Sequence, residues 1–173
     1  MAELADDIAL EPLQSQRFTL EPLSVADASE MASILGDPSI HEFTGGAPMT
    51  PTQVRALCQR LEAGSPDPTV IWLNWVLRSR DDHTLLGTMQ ATVWPDQDRA
   101  DVAWIVGAAW QGRGIASEAA AQVVMWLRSK GVLIVVAHIH PDHGASQGVA
   151  RRIGLAPTEE VVDGEIEWRL ELE

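Results

Sequence analysis

The segment Gln111-Gly112-Arg113-Gly114-Ile115-Ala116-Ser117 joins a predicted strand to a predicted helix. Gly112 and Gly114 let backbone come close to a ligand. The first N–H groups of the following helix have no intrahelical acceptors, and the positive end of its dipole favours an anion. Arg113 can add a charge. The chemistry implied is phosphate binding, although the spacing is neither that of a dinucleotide fingerprint nor that of a P-loop. A second group, His138-Ile139-His140-Pro141-Asp142-His143, follows an apolar run. Three imidazoles and a carboxylate at that spacing can hold one or two zinc ions and activate water.

Positioning these groups requires a chain of alternating strands and helices. Residues 1–16 lack clear periodicity and read as an N-terminal lead-in; residues 17–173 read as one domain. Alternating Phe18, Leu20 and Pro22 predict a strand over 17–23. Ser24 with Asp27 resembles a cap, and Ala28, Met31, Ala32, Ile34 and Leu35 follow at helical spacing until Gly36-Asp37-Pro38. After a loop over 37–49, Thr50-Pro51-Thr52-Gln53 combines a capping-box pattern with Pro at the first helical position, and Gly64 marks the end of that helix. Runs over 70–77, 85–94 and 100–106, separated by turns at Asp81-Asp82 and Pro95-Asp96, predict a three-stranded meander. A helix follows Gly114 and closes at Lys130-Gly131. The apolar run 132–139 fits a strand buried on both faces, and 145–153 a short helix ended by Gly154. Asp163-Gly164 predicts a final hairpin with a type I′ turn. The order β-α-α-β-β-β-α-β-α-β-β describes one mixed α/β domain.

Composition narrows the function. Twelve Lys plus Arg stand against 25 Asp plus Glu, a formal charge of −13, which argues against a nucleic-acid partner and mildly favours a cationic one. Cys58 is the sole cysteine, so an intrachain disulfide, a Cys-rich zinc site and a CxxC redox pair are excluded. The acidic start and the lack of a long apolar window predict a cytoplasmic protein with no membrane partner. Seven Trp and two Phe are all the aromatics; with no Tyr, no phenol can serve as a proton donor.

The Gly-rich loop resembles the Q/R-x-x-G-x-G/A acetyl-CoA signature of the GNAT superfamily of N-acetyltransferases. The stretch 143–155, His-Gly-Ala-Ser-Gln-Gly-Val-Ala-Arg-Arg-Ile-Gly-Leu, is similar to that family's N-x-x-S-x-x-V-A-x-x-x-G-F pattern, with His143 where Asn is usual and Leu155 where Phe is usual. The element order also fits, and the resemblance looks closest to the branch that includes ribosomal-protein N-terminal-alanine acetyltransferases.

The resemblance implies a single GNAT-like domain whose mixed central sheet splays between its fourth strand, 100–106, and its fifth, 132–139. Backbone groups of Trp104, Ile105 and Val106 would bind the pantetheine arm of acetyl-CoA, and one N–H would stabilise the oxyanion. Gln111, Gly112, Arg113, Gly114, Ile115, Ala116 and Ser117 would hold the pyrophosphate. His143 and Ser146 would face the arm, and Arg151 the adenine nucleotide. No metal is required.

An amine acceptor must lose a proton, and Asp101 stands where many relatives carry a catalytic Glu; Glu42 is a second carboxylate that could meet the acceptor. Many relatives protonate the leaving thiolate with a tyrosine at the place of Ala150, so here the acid is expected to be Ser146, His143 or solvent. The acceptor itself, a small-molecule amine or a polypeptide N-terminus, would meet His41, Glu42 and Phe43 in the 37–49 loop and the final hairpin. Exposed Trp could support a homodimer.

Two other readings remain open at this level. His138, His140, Asp142 and His143 match the HxHxDH zinc signature of metallo-β-lactamase-type hydrolases, but that family needs further ligands downstream and no His follows His143. A non-catalytic module that binds acyl-CoA would also lack the acid.

Overall fold

The computed structural model describes residues 8–173. In chain order the elements are β1 (Leu13–Gln14), β2 (Phe18–Pro22), α1 (Ala28–Leu35), α2 (Pro51–Ala63), β3 (Ile71–Ser79), β4 (Leu85–Trp94) and β5 (Arg99–Val106). They continue with α3 (Ile115–Ser129), β6 (Ile134–Ile139), α4 (Gly144–Arg152), β7 (Ala156–Val162) and β8 (Glu165–Glu171).

Local chemistry sets many of the boundaries. The Thr50 side chain accepts from the Gln53 N–H at 3.3 Å, while the Thr50 N–H donates to Gln53 Oε1 at 2.9 Å. Such a cap contributes about 1 kcal/mol. A second capping box, Ser24 with Asp27, opens a 3₁₀ turn that runs into α1. Asp163 and Gly164 both have positive φ, 50° and 83°, as a type I′ hairpin turn requires.

The lead-in differs from its expectation. Leu13–Gln14 pairs with β2, Ile8 lies in the main core, and the Glu11 carbonyl accepts from the Trp75 indole at 2.8 Å. A two-residue strand is too short to leave a periodicity.

Among the described residues the strands form one mixed sheet in the order β1-β2-β3-β4-β5-β6-β8-β7. Two apolar clusters cover it. One joins Trp75, Met89, Ala100 and Val102 to α3 and α4; the other joins Val76 and Leu85 to α1 and α2. No helix among the described residues is long and apolar enough to cross a membrane.

The sheet is incomplete at one place. All eight residues of β5 pair with β4, and all six of β6 pair with β8. Between them β5 and β6 run parallel and match only Arg99 with Ile134, Ala100 with Val135 and Asp101 with Val136. Beyond Asp101 the two strands part.

Candidate active site

Where β5 and β6 part, a groove of about 810 Å³ opens. Its floor is the β5 end, Trp104, Ile105 and Val106, whose far edge is paired with Met89, Thr88 and Gly87 and whose near edge has no strand beside it among the described residues. Of the residues expected to bind a cofactor, Gln111, Gly112, Gly114, Ile115, Ala116, Ser117, His143 and Ser146 also line it. Ser39, Ile40, Glu42, Phe43 and Thr44 close it from the α1–α2 connection.

The Gly-rich turn is shaped by its glycines. Gly112 and Gly114 have φ of 75° and 76°, a region that costs a side-chain-bearing residue about 1 kcal/mol or more. Gly114 caps α3 without a side-chain bond, and the first intrahelical bond there is from Glu118 N–H to Gly114 oxygen at 3.0 Å. The N–H groups of Ile115, Ala116 and Ser117 precede that bond and adjoin the groove. The Ser117 hydroxyl is buried and has no hydrogen-bond partner among the described residues. Gln111 turns inward to donate from Nε2 to the Val106 carbonyl at 3.0 Å, joining the loop to the strand end.

Proton-handling groups gather on the opposite wall. The Trp104 indole N–H donates to Ser146 Oγ at 3.3 Å, and Nε2 of His143 lies 3.4 Å from the same oxygen. The indole leaves the Ser146 hydroxyl proton available to another acceptor. Phe43 stacks on His143 with ring centroids 4.6 Å apart and an interplanar angle of 18°. Burial pushes the His143 pKa below the ordinary imidazole value, the neighbouring His140 pushes the same way, and Glu42 opposes. A neutral ring at neutral pH follows.

Asp101 occupies the last position of β5 that pairs with β6, outside the groove lining. Its carboxylate accepts from Arg99 Nε at 3.2 Å and lies 3.5 Å from His138 Nδ1. Burial raises its pKa, Arg99 and His138 oppose, and Glu167 adds to the rise. Glu167 comes from β8, is 6% exposed, and lies 3.3 Å from Arg99 Nη2 and 3.7 Å from His138 Nε2. The sequence gives no local sign of this carboxylate's partners: Arg99 is 68 residues away.

Four expected site residues lie elsewhere than in the groove wall. Besides Asp101, Arg113 is exposed on the loop, and His41 holds the Leu35 carbonyl at 2.7 Å beside the end of α1. Arg151 lies over the Trp168 ring, 5.1 Å from its centroid, and Arg152 is the arginine of that pair that lines the groove. Adjacent helical residues point about 100° apart, so the two arginines face different surroundings.

The three imidazoles of the zinc-like motif do not converge on one point, although His140 and His143 both pack against Phe43. His138 faces Asp101 and Glu167 from β6, His140 lies 4.0 Å from Asp142, and His143 enters the groove. Among the described residues no group of three His, Cys, Asp or Glu side chains is placed to hold a metal ion.

The family model for the acetyltransferase (GNAT) domain matches residues 17–156. No curated protein matches the chain. Among solved structures, a GNAT-family acetyltransferase from Bacillus anthracis superposes with a TM-score of 0.79 at 13% identity, covering 93% of this chain and 98% of that one. RimL, a ribosomal L7/L12 α-N-protein acetyltransferase solved with coenzyme A, gives 0.78 at 13% identity over 94% and 98%. RimJ from Mycobacterium smegmatis, in complex with CoA-disulfide, gives 0.76 at 16% over 93% and 87%. At these identities the solved structures speak to the fold, whereas the family model spans most of the sequence, and the chain belongs to the GNAT family of acetyltransferases.

Proposed function

We propose that this acyltransferase takes acetyl-CoA in the β5–β6 groove and passes the acetyl group to a primary amine by direct attack while both are bound. The observation that carries the reading is the loss of pairing beyond Asp101, which leaves a strand edge facing a groove that ends at a helix N-terminus. The residues present suit the donor. Open space surrounds the missing side chain of Gly112, and the unpartnered Ser117 hydroxyl adds a donor for phosphate oxygen. Acetyl-CoA, when bound, supplies an activated acyl group and a thiol leaving group.

The chain's own residues do the rest. The free backbone edge of Trp104, Ile105 and Val106 aligns an extended arm as a further strand would, and an N–H there can offer a hydrogen bond to a carbonyl oxygen. Gln111 to Ser117 bind phosphate, with Arg113 and Arg152 supplying positive charge. Ser146 holds the proton for the thiolate, with its oxygen fixed by the Trp104 indole and with His143 beside it. Asp101 accepts the amine proton through water from the position where the strands part, and Glu42 meets the acceptor from the groove wall.

The acceptor class we favour is a polypeptide N-terminus, a reading supported by the likeness to RimL and RimJ. Thiol release from acetyl-CoA, followed across peptides with different first residues, polyamines and amino sugars, tests it. Release with peptides alone is expected. Release only with small amines would reassign the acceptor, and CoA binding without release anywhere in the panel would favour a non-catalytic acyl-CoA module.

A further inference from the structure

Arg17 immediately precedes β2 and is far in sequence from the Gly-rich loop, yet its guanidinium holds that loop. Nη1 donates to the Arg113 carbonyl at 2.8 Å, and Nε donates to Glu118 Oε2 at 2.7 Å. The Arg17 backbone N–H reaches Glu118 Oε1 at 3.2 Å, and the Ser15 hydroxyl donates to the same oxygen. Glu118 stands in the first turn of α3, so the start of β2 and the start of α3 are tied through one carboxylate.

The Arg113 carbonyl lies between two glycines at positive φ, the part of the loop with the most backbone freedom. In a trans peptide the carbonyl and the next N–H point in opposite directions. Holding the Arg113 carbonyl toward Arg17 therefore turns the Gly114 N–H away from it, and Gly114 is a groove residue. A β-carbon on Gly114 would lie 3.7 Å from Arg17 Nη2, so the positive charge is also close behind the turn.

We infer that Arg17 is a positioning residue for the nucleotide end of the donor: it fixes the 113–114 peptide so that the Gly114 N–H meets the CoA pyrophosphate. The inference rests on the donor reading above. It requires the fork of a guanidinium, because Glu118 and the Arg113 carbonyl are held at once, and an ammonium cannot span both in that geometry.

The test compares CoA with pantetheine, which has the same thiol arm without the nucleotide, titrated against the wild-type protein, Arg17→Ala and Arg17→Lys. Both variants are expected to weaken CoA binding about tenfold, the scale of one charge-assisted hydrogen bond, and to leave pantetheine binding unchanged. Equal weakening of both ligands would mean a merely structural role and overturn the inference, as would CoA affinity kept within about twofold in Arg17→Ala. A wild-type protein that binds no CoA overturns the donor reading along with it.

Discussion

The α-carbon of Gly87 on β4 lies so close to β5 that a β-carbon there would sit 2.1 Å from the Ile105 carbonyl oxygen and 3.0 Å from the Val106 α-carbon. The obstacle is backbone, and it belongs to the strand end that floors the groove. Gly87→Ala must push β5 toward the gap. A stability loss of about 2 kcal/mol is expected in chemical denaturation, with weaker CoA binding. Unchanged stability and affinity would mean that β5 yields freely and is not the rigid floor described.

Ser146 provides a second measurement. Ser146→Ala keeps the groove's shape but removes the hydroxyl between Trp104 and His143. Turnover is expected to fall on the order of a hundredfold, with little change in the acetyl-CoA KM. Full turnover would transfer the acid role to His143 or solvent.

Asp101 lies outside the groove lining, so its substitution tests chemistry apart from donor binding. Asp101→Asn should leave the Kd for CoA unchanged and lower kcat/KM for the amine. If Glu42→Gln has the larger effect instead, the groove-wall carboxylate is the base.

The His143 pKa is lowered from 6.5, first by burial and then by His140. A depressed imidazole contributes stability that is complete above the unfolded value and is lost as pH falls through the folded one, because the unfolded chain binds the proton first. The wild-type protein should therefore lose stability as pH drops below about 6.5, and His143→Asn should reduce that slope. Denaturation midpoints at several pH values measure it; parallel curves would remove His143 as the cause.

Because no three His, Cys, Asp or Glu side chains among the described residues are placed to hold a metal ion, extensive dialysis against a chelator is expected to leave acetyl transfer intact. Activity lost to the chelator and restored by zinc would reopen the hydrolase-like reading.

What could be read from the sequence was what local chemistry decides. The Thr50 capping box, the Asp163-Gly164 turn and the glycines of the loop announce themselves within a few residues. The meander and both long helices follow from periodicity. The strand expected from Val132 begins instead at Ile134, because the Leu133 and Ile134 N–H groups first bond to the Asp98 carbonyl at 2.8 and 2.9 Å. Contacts between elements distant in sequence were not legible: Glu167 with Arg99, Arg17 with Arg113 and Trp104 with Ser146 join residues whose spacing carries no period.

The parting of β5 from β6 is held from outside, since each strand is fully laddered to its other neighbour. The cleft is thus built during folding, and no ligand has to pry it apart. A preorganised cleft loses little affinity to rearrangement. The donor should enter and leave a rigid framework.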